Sequence, residues 1–204
     1  MITTIVFDLG GVLIDWNPEY VFKQVIPDDE KRRYFFEHIC THDWNEAQDA
    51  GRPLAEATQL LVNQFPDWEI EIRAYYGQWE HMLGEPVHGT VEILSKALAH
   101  PNYRVYALTN WSAETWEIVL KIDRFQFLHW FEGVVVSGQE KTRKPFREIY
   151  EILLHRYDLV PQQTLFIDDN LRNVVAAQQL NFQTIHFQSP AQLEQTLHQL
   201  GIQL

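Results

Sequence analysis

The 204-residue chain has a single cysteine, Cys40, so no disulfide can form within it, which fits a reducing compartment. Basic residues are scarce, 16 Lys and Arg against 28 Asp and Glu, for a formal net charge of −12. No Lys/Arg cluster is large enough to neutralise a run of phosphates, which removes nucleic acid from the expected partners. No apolar run approaches the ~20 residues of a membrane span. Met1 leads almost straight into a strand-like segment, with no basic stretch, apolar region or small-residue cleavage site before it. A cytoplasmic protein without signal peptide or membrane association is expected. The acidity also sets a requirement. A protein this negative that binds an anion must gather positive charge locally, from a metal ion or a few well-placed basic groups.

With 46% hydrophobic and 22% charged residues, the chain has a globular composition and enough length for one core carrying an inserted subdomain. Five short apolar segments read as buried strands: 3–7 (TTIVF), 103–108 (YRVYAL), 133–136 (GVVV), 164–167 (TLFI) and 183–187 (QTIHF). Helical patterns separate the later ones. In PFREIYEILLHRY, Phe146, Ile149, Tyr150, Leu153, Leu154 and Tyr157 form one apolar stripe, with Pro145 suited to the first turn. SPAQLEQTL opens the last helix, with Ser189 as N-cap, Pro190 at N1 and Gln192 at N3. This alternation predicts an α/β fold, a parallel sheet with helices on both faces. Residues 16–86 differ. They show no strand pattern, are aromatic and helical in period, and read as a helical insertion crossed at NPE (17–19) and GEPVHG (84–89).

Ligands of parallel α/β sheets bind beyond the carboxyl ends of the strands. Asp8 lies there in IVFDLGGVLID, Thr109 and Asn110 follow the second strand, and Asp168 and Asp169 follow the fourth. Lys144, in KTRKPF, comes after the third strand and just before a helix. Three gathered carboxylates repel one another unless a cation lies among them, and Mg²⁺ needs few protein carboxylates while keeping places for water and phosphate oxygens. With a lysine and a hydroxyl added, the set suits a phosphoryl group. Metal and Lys144 neutralise charge, Thr109 bonds an oxygen, and Asp8 can attack. Gly10 and Gly11 let the backbone turn closely, and the Gly10 carbonyl can serve as a metal ligand.

In order, FDLGGVL, LTN, RKP and FIDDN resemble the signatures of the haloacid dehalogenase (HAD) superfamily, in the subgroup with a helical cap after the first strand. DWNEAQDAGRPLAEA also looks like that cap. The resemblance covers nearly the whole chain. It implies a Rossmann-like catalytic core, residues 1–15 and 87–204, and a cap, residues 16–86. It also implies an aspartyl-phosphate on Asp8 and Mg²⁺ held by Asp8, the Gly10 carbonyl and Asp169, with Asp168 direct or through water. Lys144 then balances charge and Thr109 binds phosphate. Family phosphatases usually carry a second aspartate two residues after the nucleophile, as proton donor and then base; here that place is Gly10. Such help is worth ~10²–10⁴ in rate. The chain resembles a bacterial sugar-phosphatase branch, the α-D-glucose-1-phosphate phosphatases, with DLG at this place. The expected function is therefore a Mg²⁺-dependent phosphatase of a small phosphorylated metabolite, such as a sugar phosphate. The alternatives are a 2-haloacid dehalogenase, which needs neither that acid nor a metal, and a phosphate-binding module of low turnover.

Other residues have blander readings. Asn110 can bond phosphate or substrate through its amide. Asp168 and Asp169 can cap the next helix, and Asn173 can brace their loop. Lys141 and Arg143 read as solvated, and Asp15 as a hinge into the insertion. Trp44 is expected to face the crevice and touch substrate, with Trp16 and Trp79 as core aromatics and Trp111 at the pocket entrance. Arg52 is either an anion contact or a surface residue. His38 and His42 have a zinc-compatible i, i+4 spacing but no third ligand nearby, and read as an ordinary pair.

Overall fold

The computed structural model describes all residues, 1–204. Its strands are β1 (Thr4–Phe7), β2 (Ile14–Trp16), β3 (Leu83–Pro86), β4 (Arg104–Thr109), β5 (Gly133–Val136), β6 (Thr164–Asp168) and β7 (Gln183–His186). Five of them form a sheet in the order β5-β4-β1-β6-β7, parallel throughout. The alternation of strand residues divides the core in two. Ile5, Phe7, Val105, Ala107, Leu165 and Ile167 point into one layer, and Val6, Tyr106, Leu108, Val135 and Phe166 into the other. Burial on both faces is why these strands read as continuous apolar runs.

The helices are α1 (Glu19–Val25), α2 (Asp29–Tyr34), α3 (His42–Asp49), α4 (Leu54–Gln64), α5 (Glu69–Gly77), α6 (His88–Ala99), α7 (Ala113–Val119), α8 (Ser137–Glu140), α9 (Arg147–Tyr157), α10 (Leu171–Gln179) and α11 (Pro190–Gln199). Helices α6 and α11 supply Ile93, Leu94, Leu193 and Leu197 to the first layer. Helix α9 supplies Ile149, Tyr150 and Leu153 to the second. None of the helices is long and apolar enough to cross a membrane. At α11 the Ser189 hydroxyl accepts the Gln192 amide at 3.2 Å, with Pro190 first in the helix, as its sequence signature predicts.

Two expectations are corrected. Residues 16–86 are not free of strand: β2 and β3 pair antiparallel, Ile14 with Pro86 and Trp16 with Leu83. This ribbon brackets α1–α5. Its strands are too short to show a period. Phe146 does not belong to the α9 stripe. It is the residue before the helix, exposed, with the Arg143 guanidinium 5.0 Å from its ring centre.

Candidate active site

The sheet register builds the site. Phe7 is level with Ala107 on one side and Ile167 on the other, so the next residue, Asp8, falls level with Leu108 and Asp168. Lys144 reaches this level from the loop before α9. Its Nζ donates to Asp8 Oδ1 at 2.8 Å, Asp168 Oδ2 at 2.7 Å and the Leu108 carbonyl at 3.0 Å. One ammonium, wholly buried, thus ties three adjacent strands at their carboxyl ends. Carboxylate oxygens of Asp8, Asp168 and Asp169 lie within 4.8 Å of one another. Burial, then repulsion from the other acids, holds the Asp8 pKa well above the usual carboxylate range, although Lys144 pulls it down. Asp169 is raised by burial and by Asp168. Burial also works against the Lys144 charge, but Asp168 and Asp8 outweigh it and raise the pKa.

The three acids are not equivalent. Asp168 Oδ1 accepts the Asn170 amide at 2.8 Å, and both of its oxygens accept Asn173 Nδ2 at 3.1 Å. With Lys144 added, both of its oxygens have donors, and it braces the loop as well as facing the cluster. Asn173 does brace the loop. The cap of α10 is not the Asp pair but Asn170, whose side chain accepts the Arg172 amide. Asp169 sits at the rim, partly desolvated and more exposed than the other two acids. Gly11 has φ +75°, and a Cβ there would lie 2.3 Å from Asp169 Oδ2, so the bare turn is a space requirement. Gly10 lines the crevice, and its carbonyl accepts no hydrogen bond. These free oxygens, with more acid than one ammonium neutralises, form a donor set that fits Mg²⁺.

The Thr109 hydroxyl is buried without a partner, an orphan that a phosphate oxygen would satisfy. Asn110 is placed differently from its expected role. Its Oδ1 accepts the Lys144 amide at 2.8 Å and its Nδ2 donates to the Lys144 carbonyl at 3.0 Å. Its amide thus holds the lysine loop, and the residue lines the crevice as well.

The crevice encloses about 250 Å³. The insertion closes it with one face of α3: His42, Asn45, Glu46 and Asp49, at i, i+3, i+4 and i+7, all line it. This polar stripe is legible in HDWNEAQD as helical spacing of polar residues. Trp44 lies off that face and does not line the crevice. It packs on Tyr75 and Tyr76, with ring centres 5.2 and 5.4 Å away. The aromatic walls are Trp16, Tyr76, Trp79 and Trp111, and the Trp111 Nε1 is buried without a partner. Arg143 is not solvated. It pairs with buried Glu46 at 2.6 Å, and Glu46 also meets Arg172 and, at 3.1 Å, His42. Arg52 closes its own helix end, bonding Gln48 at 2.7 Å and the Trp44 carbonyl at 3.2 Å. Asp15 accepts the Tyr20 hydroxyl at 2.5 Å, away from the crevice. His38 precedes the break at Cys40–Thr41 and His42 opens α3, so the pair shares no helix face.

The family model for haloacid dehalogenase-like hydrolases matches residues 2–181. The sesquiterpene phosphatase astK of Aspergillus oryzae is 28% identical over 183 residues, 89% of this chain and 87% of that protein. A HAD-like family hydrolase from Porphyromonas gingivalis superposes with a TM-score of 0.75 over 100% of both chains at 23% identity. The HAD family enzyme BT-2542 of Bacteroides thetaiotaomicron, in its magnesium complex, gives a TM-score of 0.70 at 25% identity over 92% of this chain and 94% of that one. The strand order, the buried lysine among strand-end acids and the family model agree: the chain belongs to the haloacid dehalogenase-like hydrolases.

Proposed function

We propose that the protein is a Mg²⁺-dependent phosphatase that cleaves a small phosphate monoester through an aspartyl-phosphate on Asp8. One observation carries this reading: Lys144 alone faces Asp8, Asp168 and Asp169, so the cluster is short of positive charge. Asp8, Asp169 and the Gly10 carbonyl would hold Mg²⁺, with Asp168 behind them through water. The bound ion would supply the missing charge and screen the phosphoryl oxygens. Asp8 attacks phosphorus. Lys144 holds that carboxylate in place and offsets the growing negative charge. The Thr109 hydroxyl donates to a phosphoryl oxygen. A relative described as a phosphatase and another solved with magnesium support the assignment.

The crevice volume suits a small metabolite rather than a macromolecule. We favour a sugar phosphate. His42 and Asn45 offer polar groups to hydroxyls, and the aromatic walls suit the apolar face of a ring. On the same reading residues 1–15 and 87–204 form the catalytic core and 16–86 the cap, with the β2–β3 ribbon as its neck. The single buried thiol suits the cytoplasm. The test is phosphate release from a panel of esters, including glucose 1-phosphate and p-nitrophenyl phosphate, with and without Mg²⁺, with Asp8→Asn as control. Metal-dependent turnover lost in the control supports the proposal. Chloride release from chloroacetate without metal would replace it with dehalogenation.

A further inference from the structure

The proposed reaction lacks a proton donor at residue 10, and the cavity contains another candidate. We propose that Asp49, brought over the crevice by α3, protonates the leaving oxygen and then takes the proton of the attacking water. This inference rests on the phosphatase reading.

Elimination narrows the choice. The acids lining the cavity are Asp8, Glu46, Asp49 and Asp169. Asp8 is the nucleophile and Asp169 belongs to the proposed metal set. Glu46 is held between Arg143, Arg172 and His42 and so kept as an acceptor with no proton to give, and the His42 Nε2 is in turn taken up by Glu46 at 3.1 Å. The Lys144 protons are engaged with Asp8, Asp168 and the Leu108 carbonyl. The Tyr76 hydroxyl donates to Asn45 and accepts from Gln48, and burial raises its pKa out of reach. Asp49 is different. The side-chain bond to its carboxyl is a long one, from Asn45 Nδ2 at 3.3 Å.

Backbone docking fixes its position. The Asp49 carbonyl accepts the Ser137 hydroxyl at 2.5 Å. Gly51, at φ +97°, brings the turn so close to the core that a Cβ there would lie 3.0 Å from the Gly138 carbonyl. The Asp49 carboxyl also faces the Ser112 amide, in the loop that follows Thr109. Its other charged and titratable neighbours are Glu46 on its own helix, Arg143 and Lys144 from the loop before α9, and Tyr75 and Tyr76 within the insertion. Burial, then Glu46, pushes its pKa up to about 7, against Arg143 and Lys144. An acid with that pKa can hold and release a proton near neutrality. At residue 10 nothing lies within 4 Å of a Cβ, so the space for a second aspartate is open.

The step balances. Asp8 forms its bond to phosphorus as the bond to the leaving oxygen breaks, and the Asp49 proton passes to that oxygen. The Asp49 carboxylate then takes a proton from water. The water oxygen bonds phosphorus, the Asp8–phosphorus bond breaks, and inorganic phosphate leaves with both aspartates restored.

The test compares p-nitrophenyl phosphate, whose leaving group needs no acid, with phenyl phosphate, whose phenolate has a pKa of about 10. Asp49→Asn should lower kcat/KM for phenyl phosphate by ~10²-fold more than that for p-nitrophenyl phosphate, and should lower kcat for both, because hydrolysis of the common aspartyl-phosphate loses its base. It should also remove the decline of the native phenyl phosphate profile as pH rises through about 7. Adding Gly10→Asp to Asp49→Asn should restore part of the lost rate. Equal losses in kcat/KM on both esters, or no loss on either, overturn the proton-donor role while leaving the phosphatase reading intact. A native protein that hydrolyses neither ester, with or without Mg²⁺, overturns both.

Discussion

Replacing Lys144 with methionine removes the only ammonium from the acid cluster while keeping much of its volume. Its Nζ is 2.8 Å from Asp8 and 2.7 Å from Asp168, and the side chain is wholly buried. Breaking a buried pair by deleting one partner costs about 3–5 kcal/mol, because the remaining charge is stranded. A domain has about 5–15 kcal/mol in total, so the loss is a large fraction of the fold's stability. Lys144 has its pKa raised above the ordinary 10.5. Its contribution is therefore complete at neutral pH and is lost only as pH rises through the higher folded value. In the variant the penalty follows the stranded carboxylates. Asp8, already raised by burial, takes up a proton first on acidification, and the penalty shrinks. Urea unfolding of metal-free native and Lys144→Met protein at pH 7.5 and pH 5.5 measures this. The expected gap is about 3–5 kcal/mol at pH 7.5 and smaller at pH 5.5. A gap below ~1 kcal/mol at pH 7.5, or one that widens toward acid, refutes the electrostatic account of the cluster.

Mg²⁺ at a hundredfold its Kd should raise native stability by about 2.7 kcal/mol, read as a Tm increase that Asp169→Asn abolishes. Gly11→Ala places a methyl against Asp169 and strains a φ of +75°. It should cost about 1–2 kcal/mol in the metal-free protein and weaken Mg²⁺ binding by calorimetry. Glu46→Gln leaves Arg143 and Arg172 facing each other where α3 meets the core; KM should rise by about tenfold, with faster hydrogen exchange in α3, a loss of ~1.4 kcal/mol in binding. Asp49, raised from 3.8 to about 7, destabilises the fold when ionised, so stability falls as pH rises from about 4 to about 7. That displacement corresponds to at most ~4 kcal/mol, and about half after solvent screening in the crevice. Asp49→Asn should therefore exceed the native protein by about 2 kcal/mol in urea unfolding at pH 8 and match it at pH 4; a less stable variant at pH 8 contradicts the burial argument.

Residues adjacent to strand ends were the most legible part of the site. Asp8, Thr109, Asp168 and Asp169 each follow or close an apolar run, and a parallel sheet must bring such ends to one edge. Lys144 was legible from the proline and helix after it. Residues whose roles depend on facing were not. Trp44 and Asp49 lie on one short helix. The packing of Trp44 on Tyr75 and Tyr76, with the docking of Asp49 on Ser137 and of Glu46 on Arg143 and Arg172, turns His42, Asn45, Glu46 and Asp49 to the crevice. Arg143 and Asn110 read as a solvated charge and a substrate contact, yet each has a protein partner far away in the chain.

By itself, then, the amino-acid order determined the α/β class, the segments that become strands and the acids at their ends, because apolar period and turn chemistry act over a few residues. Tertiary structure alone decided the β2–β3 ribbon, the orientation of α3 and the desolvation that raises the pKa of Asp8, Asp49 and Asp169. Those properties depend on which surfaces exclude water when segments distant in sequence meet, and no local pattern carries that information.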